Sequence, residues 1–477
     1  MPAKHMPYFD VLEALQSDGC PVCRLSLRSV SRYLDALSYE NVNDPEVRAT
    51  LRRSRGFCNH HAWQFADACH DGLGTAIIYR DVLDTLLRAV EKPRRVLLVS
   101  GLVSRTVGLI SWRSRDFSWF RLPFAAHAHV SRLAGLLAPE AECPACQVLA
   151  ASEERHLETL LAHLADRELR EVYRTSSGLC LPHLAAALPR ADPADAGILT
   201  GIAGWKIASL HASIDAGRKP DLRTITEAMV GKIEKVSAVA HRDGCPVCEM
   251  TIPALDEWLG GMVGMVERGL GSEDQQTETV PLCQAHAWRI LEVASPAVVS
   301  EFWHPIVRAA ESTLLQGIGR NERLASSWRG LFSGLGDLNW RKGRRPLRQK
   351  LERQPCCPAC ETKTAIEEET VQTLLNRPGR AGPSRQSEHL SALCLPHLVL
   401  PVRLVSNGSQ KEALLSLQAE AWRSLRAELD EYVRKQDYRF RHEPRGPEMD
   451  APWRAIAAVA GERGSQNAAC QARRQSG

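Results

Sequence analysis

The sequence predicts an all-α protein made of helical hairpin repeats that zinc ions staple together. Three observations support this prediction: a Cys-Pro-x-Cys pair occurs four times, a Cys-x-x-His follows each pair at a nearly constant interval, and the apolar residues between them recur at helical spacing. Three thiolates and one imidazole form a closed tetrahedral ligand set, which is the set that structural zinc prefers. The predicted ligands are Cys20, Cys23, Cys58, His61, Cys143, Cys146, Cys180, His183, Cys245, Cys248, Cys283, His286, Cys357, Cys360, Cys394 and His397.

The four copies alternate in type, which predicts a tandem duplication. The first and third pairs read Cys-Pro-Val-Cys and the second and fourth read Cys-Pro-Ala-Cys, so the order is A-B-A-B. We therefore predict two two-site units, at residues 1–225 and 226–477. We also predict that each pair shares its zinc with the Cys-x-x-His that follows it. This gives two sites per unit, which lie at 20–61 and 143–183 in the first unit and at 245–286 and 357–397 in the second.

Local signals within a copy predict helices that begin at the ligands. Pro21 directly follows Cys20, which places this cysteine at a helix N-cap with proline at the first helical position. A thiolate is favoured there by the helix dipole. Residues 411–435 predict the clearest helix, with Leu414, Leu417, Ala421, Leu425 and Leu429 along one face. No stretch alternates like a strand.

Composition predicts a cytoplasmic protein without a strong charge signal. The net charge is +4, which is too small to indicate a nucleic-acid or membrane partner by itself. We detect no export signal, and the longest apolar stretch, 96–110, is too short to span a bilayer. Paired cysteines in such a chain indicate metal ligands in a reducing compartment rather than disulfides.

No catalytic constellation is evident, so we expect a zinc-binding scaffold or regulatory protein with a protein partner, while any enzymatic activity stays open. Two aromatic and basic connectors are the candidate partner surface, at Arg113, Trp119 and Arg121 and at Trp340, Arg344 and Arg345. One alternative is a metal–thiolate redox or iron–sulfur protein. Another is a nucleic-acid-binding protein that uses these basic linkers.

Two further motifs resemble a known family. These are Gly-Leu-Cys-Leu-Pro-His at 178–183 and Asp-Tyr-Arg-Phe-Arg at 437–441. The sequence is similar to an uncharacterised bacterial family, a domain of unknown function with CPxC and CLPH motifs and a similar tail. The resemblance supports the ligand assignment and implies no activity. This chain departs from the family pattern because it contains two units and carries the tail only after the second.

Overall fold

The computed structural model contains helices and no strand in the residues it describes, which are 4–68, 72–108, 135–216, 221–234, 244–267, 282–328, 357–376, 393–405, 408–440 and 442–465. The described helices of the first half are α1 (Met6–Leu15), α2 (Pro21–Ala36), α3 (Pro45–Arg53), α4 (Asn59–Ala68), α5 (Leu73–Gly108), α6 (Pro144–His163), α7 (Arg167–Thr175), α8 (Leu181–Ala187), α9 (Pro193–Asp215) and α10 (Leu222–Val230). Those of the second half are α11 (Pro246–Glu267), α12 (Gln284–Val293), α13 (Pro296–Trp328), α14 (Pro358–Asn376), α15 (Leu395–Leu404), α16 (Gly408–Lys435) and α17 (Ala451–Ala460). The prediction of an all-α fold is confirmed.

Cysteines stand directly before eight of the described helices, and proline follows the cysteine within two residues in six of them. Cys20 is the extended N-cap of α2, with Pro21 as the first helical residue, and Cys180 has the same place before α8. The backbone oxygen of each N-cap cysteine accepts the first helical hydrogen bond, as in Arg24 N–H to Cys20 O at 3.1 Å. The side chain of such a cysteine makes no capping bond, so its sulfur is free to turn towards other ligands.

A pair of long helices forms the centre of each half. In the first half α2 packs along α6, and Ser29 Oγ lies 2.9 Å from Ser152 Oγ near the middle of both helices. The second half packs α11 against α14 in the same way. The two helices of each pair run antiparallel, because the start of each lies beside the Cys-x-x-His that follows the other.

The two halves share their hydrophobic cores. Helix α9 packs on α13 and α16 packs on α5, so each contact joins one half to the other. Tyr79 and Trp422 belong to one apolar cluster, and Leu199 and Trp303 belong to the second. All four side chains are at most 1% exposed. Separating the halves would therefore expose large aromatic residues to water, which is unfavourable.

Matched hydrogen bonds also link the halves. The indole N–H of Trp63 donates to Gly461 O at 3.0 Å, and that of Trp288 donates to Gly231 O at 2.8 Å. Gly461 follows α17 in the second half, whereas Gly231 follows α10 in the first. Each tryptophan thus forms a hydrogen bond from one half to the other. The division near residue 225 as a boundary of two duplicated units stays a prediction.

The predicted stripe of the long helix near residue 414 is partly displaced. Leu414, Leu425 and Leu429 are buried in α16, but Leu417 and Ala421 are only partly buried. Gln418 and Trp422 take the inner positions instead. The Nε2 of Gln418 donates to Leu393 O at 3.0 Å, which allows a polar side chain to occupy the core side of the helix.

Among the described helices none combines the length and apolar character that a bilayer crossing requires.

Candidate metal centres

All sixteen predicted ligands gather in four clusters, each with three cysteines and one histidine. The ligand atoms of a cluster lie within 4.8 Å of one another. Most of these residues are buried; Cys58, Cys146 and Cys283 are partly exposed. The clusters are Cys20, Cys23, Cys180 and His183 (cluster 1); Cys58, His61, Cys143 and Cys146 (cluster 2); Cys245, Cys248, Cys394 and His397 (cluster 3); and Cys283, His286, Cys357 and Cys360 (cluster 4).

The predicted pairing within 20–61, 143–183, 245–286 and 357–397 is wrong. The structure exchanges partners within each half: the first Cys-Pro-x-Cys joins the second Cys-x-x-His, and the second joins the first. Helix geometry explains the exchange. Helix α2 has 16 residues and α3 has 9, so at about 1.5 Å per residue the return helix is too short to carry Cys58 back to the start of α2. The antiparallel α6 brings its own start to Cys58 instead.

The distances in the clusters match a single tetrahedral ion. Cys23 Sγ lies 3.8 Å from Cys180 Sγ, and Cys58 Sγ lies 3.7 Å from Cys146 Sγ. The sulfur to Nδ1 distances range from 3.1 Å in Cys180–His183 to 3.7 Å in Cys143–His61. A tetrahedral zinc ion with bonds of about 2.3 Å to sulfur and about 2.0 Å to nitrogen would set these separations at about 3.8 Å and about 3.5 Å. A disulfide would require about 2.05 Å between sulfurs.

Each cluster lies where two helices begin, so two helix dipoles favour negative charge on its thiolates. The pairs are α2 with α8, α4 with α6, α11 with α15, and α12 with α14. In cluster 1 the backbone N–H of Lys232 also points at Cys23 Sγ at 3.4 Å. This environment stabilises the deprotonated sulfur that a metal requires.

The protonation chemistry of the clusters also favours a cation. Burial works against a charged His61, but hydrogen bonds to Cys143 and Cys58 and their negative charge outweigh it and raise the His61 pKa to about 9. Burial likewise opposes charge on His286, and its bonds to Cys283 and Cys357 raise the pKa to about 9. The thiolate charge that raises these pKa values is the charge that a bound metal cation would neutralise, with release of protons.

Two buried or partly buried glutamates orient the histidines of clusters 1 and 3. His397 Nε2 lies 2.9 Å from Glu367 Oε1, and His183 Nε2 lies 3.3 Å from Glu153 Oε1. Because Nδ1 faces the sulfurs, Nε2 carries the proton that the carboxylate accepts, and this fixes the tautomer of a metal-binding histidine. Burial raises the pKa of Glu367, but the bond to His397 and the charge of Lys363 prevail and keep that pKa below its usual value.

Sequence reasoning missed these glutamates, although a signal for them exists. Each stands seven residues after the second cysteine of a Cys-Pro-Ala-Cys pair, Glu153 after Cys146 and Glu367 after Cys360. Seven residues are about two helical turns, so each glutamate projects from the same side of its helix as that cysteine. Each glutamate then contacts the histidine of the cluster at the other end of the helix pair. Only the crossed pairing of the ligands reveals this role.

The remaining candidate residues are those of the two aromatic and basic connectors. Arg113, Trp119, Arg121, Trp340, Arg344 and Arg345 lie outside the described residues. His60, which directly precedes His61 of cluster 2, is not part of a cluster. The ring of His60 contacts that of His61 edge to face, with centroids 5.1 Å apart.

Comparison with known proteins finds similarity over part of the chain, to proteins without a described activity. A 73-residue stretch is 37% identical to an uncharacterised 23.9 kDa protein encoded in the xynA 3' region of Caldicellulosiruptor sp. (strain Rt8B.4). The match covers 15% of this chain and about a third of that relative, 35% of its length. No solved structure matches the chain.

The family match covers the two clusters of the first half. A profile described as a family of unknown function, DUF6062, matches residues 4–195. This range includes all eight ligands of clusters 1 and 2, from Cys20 to His183. The chain therefore resembles, as its CPxC and CLPH motifs predicted, the family of unknown function DUF6062 over residues 4–195.

Proposed function

We propose that the protein is a non-catalytic interaction scaffold whose helices are held in place by four structural zinc ions. The observation that carries the proposal is the set of four Cys3His clusters at tetrahedral spacing. Each ion would join the starts of two helices that are distant in sequence, as Cys23 and Cys180 are in cluster 1. Zinc binding of this kind contributes directly to folding, on the order of 10–16 kcal/mol for small zinc-finger peptides.

Zinc fits the clusters better than an iron–sulfur cluster does. An iron–sulfur cluster contains two or more iron atoms, so its protein ligands are divided among different irons. Here Cys248 Sγ and Cys394 Sγ are 3.8 Å apart, and both lie within 3.4 Å of His397 Nδ1. Such close ligands suit one ion, and three sulfurs with one imidazole are a zinc donor set.

A closed ligand set argues for a structural rather than a catalytic metal. Catalytic zinc keeps an open position for water or substrate, whereas four protein ligands complete the tetrahedron. In cluster 1 all four ligands are buried. We therefore assign the ions to the scaffold and place the biological activity on its surface.

The test is the metal content and colour of protein purified without added metal. We expect four zinc ions per chain and a colourless solution. A brown protein that contains iron and acid-labile sulfide would overturn zinc in favour of the redox alternative. Two or fewer ions in fully folded protein would reject the four-site assignment.

The partner surface that we propose is the pair of aromatic and basic connectors between the A and B copies. Tryptophan and arginine are enriched at binding hot spots. Substitution of Trp340, Arg344 and Arg345 by alanine should abolish recovery of protein partners from a lysate while zinc content and helicity stay unchanged. Recovery of the same partners at the same yield would reject this surface, and loss of nucleic acid alone, in a salt-dependent manner, would favour the nucleic-acid-binding alternative.

A further inference from the structure

A fifth group of metal-binding side chains lies where α9 of the first half crosses α13 of the second. Asp215 stands between two histidines: its Oδ1 is 2.7 Å from His304 Nε2 and its Oδ2 is 3.6 Å from His211 Nε2. The two imidazole rings lie beside each other with centroids 5.2 Å apart. The group is separate from the four Cys3His clusters and contains no sulfur.

The other helix crossing between the halves, α16 on α5, is called the opposite crossing here. It shows how such a crossing is built when its side chains only join the two helices. Buried residues recur at the same spacing in both crossings: Tyr79 and Leu83 in α5 correspond to Trp303 and Val307 in α13. In the same way Leu414 and Trp422 in α16 correspond to Leu199 and Ile207 in α9. The residues that follow can therefore be compared position by position.

The comparison places arginines where the other crossing has histidines. His304 occupies the position of Arg80, His211 that of Arg426, and Asp215 that of Asp430. Asp430 accepts from Arg80 Nη1 at 3.2 Å and from Arg426 Nη1 at 2.9 Å. The carboxylate thus bridges two basic side chains in both crossings. Guanidinium groups stay protonated and cannot bind a metal ion, whereas neutral imidazoles can.

A fourth side chain prepares His211 as a ligand. Glu311 Oε2 lies 2.7 Å from His211 Nδ1, so the proton resides on Nδ1 and Nε2 is left as the lone-pair donor that faces Asp215. This carboxylate–histidine arrangement is the usual support of a metal-binding imidazole. The position of Glu311 is that of Leu87 in the opposite crossing, so the carboxylate is specific to the histidine side.

The location also favours a cation. Asp215 is the last residue of α9, where the negative end of the helix dipole attracts positive charge. The side chain of Asp215 is 55% exposed and that of His304 is 39% exposed. Solvent can therefore reach the group and fill the remaining coordination positions.

We propose that His211 Nε2, His304 Nε2 and the Asp215 carboxylate bind one exchangeable divalent transition-metal ion, with Glu311 as the positioning residue of His211. Two imidazoles and one carboxylate suit borderline ions such as Co²⁺, Ni²⁺ and Zn²⁺. The ion would tie α9 to α13 and hence one half of the protein to the other. Unlike the four buried clusters, it would keep open positions for water.

Cobalt titration of the full chain with its four thiolate clusters already filled tests the site. We expect one saturable equivalent of Co²⁺ with visible absorption but without the near-ultraviolet charge-transfer band of cobalt–thiolate bonds. The double variant His211→Gln/His304→Gln should show no saturable binding, and Glu311→Gln should weaken binding about 10–100-fold.

Arg80→Gln/Arg426→Gln is the matched control, because it removes the corresponding basic pair at the opposite crossing and should leave cobalt binding unchanged. Asp215→Asn, which keeps the shape of the side chain, decides the question if the double histidine variant does not fold. Equal cobalt binding by the wild type and Asp215→Asn, or no saturable binding by the wild type, would show that the group is an ionic contact only.

Discussion

At the scale of single residues, the sequence identifies the ligands but not their supporting side chains. Cysteine and histidine are recognised as candidate metal ligands by their chemistry and spacing. All sixteen predicted ligands, such as Cys20 and His183, fall in the clusters. Glu153 and Glu367 are ordinary residues of helical segments until the fold brings them to a histidine ring. Their spacing of seven residues from a cysteine is visible in the sequence, but their role depends on a contact between positions about thirty residues apart.

Glu367 provides a test at this scale. Glu367→Gln keeps an oxygen that can accept the His397 proton but removes the negative charge that makes the imidazole a stronger ligand. We expect affinity at cluster 3 to fall about 10–100-fold. In a chelator titration the variant should release one ion per chain at lower chelator concentration than the wild type.

Glu368→Gln is the control, since Glu368 is the exposed neighbour on the same helix. It should release its ions together with the wild type. If Glu367→Gln and Glu368→Gln behave alike, the carboxylate does not support the metal-binding histidine.

At the scale of elements, helix starts were predictable and the pairing of helices was not. Proline after the first cysteine places the start of α2 at Pro21, as the structure confirms. The predicted pairing was wrong because it assigned each Cys-Pro-x-Cys to the Cys-x-x-His that directly follows it in the sequence. Whether Cys58 reaches Cys20 depends on the relative lengths of α2 and α3 and on the antiparallel neighbour α6, which are properties of packing rather than of a motif.

Gly231 tests how the end of α10 fits against cluster 1. Its backbone has φ +81° and ψ 168°, a region essentially restricted to glycine. A Cβ there would also lie 3.2 Å from Gln284 Nε2 and 3.4 Å from Cys23 Sγ. Gly231→Ala should lower the free energy of unfolding by about 1–3 kcal/mol, measured by denaturant unfolding of the metal-loaded protein.

Gly201→Ala is the matched control within α9. A Cβ at Gly201 meets nothing within 4 Å, and alanine is the better helix former, so we expect stabilisation by about 0.5–1 kcal/mol. Equal effects of the two substitutions would contradict the close approach of Gly231 to the cluster.

At the scale of the whole molecule, each half keeps its own metal clusters but shares its core with the other. None of the four Cys3His ligand sets mixes residues from the two sides of the break between α10 and α11. In contrast, Trp63 donates to Gly461 and Trp288 donates to Gly231 across it. The repeat in the sequence predicts two units. It does not predict that the units pack against each other, because the contacts join residues that are far apart along the chain.

Cutting the chain between the halves tests this mutual packing. After cleavage at a protease site inserted between Glu234 and Gly244, the two fragments should still elute together at the position of the uncut chain. The shared burial of Tyr79, Trp303 and Trp422 supplies the reason. Separation into two folded fragments that each hold two ions would contradict the shared core and favour independent units.

The crossed pairing of ligands is the central claim, and metal counts in two double variants test it most directly. Cys23→Ser/Cys180→Ser removes two ligands from cluster 1 alone, so native mass spectrometry should find three of the four zinc ions. Cys23→Ser/Cys58→Ser removes one ligand from cluster 1 and one from cluster 2, so both sites weaken and only two ions should survive chelator. The opposite result, three ions retained by Cys23→Ser/Cys58→Ser and two by Cys23→Ser/Cys180→Ser, would show that each hairpin closes on its own zinc and would contradict the account.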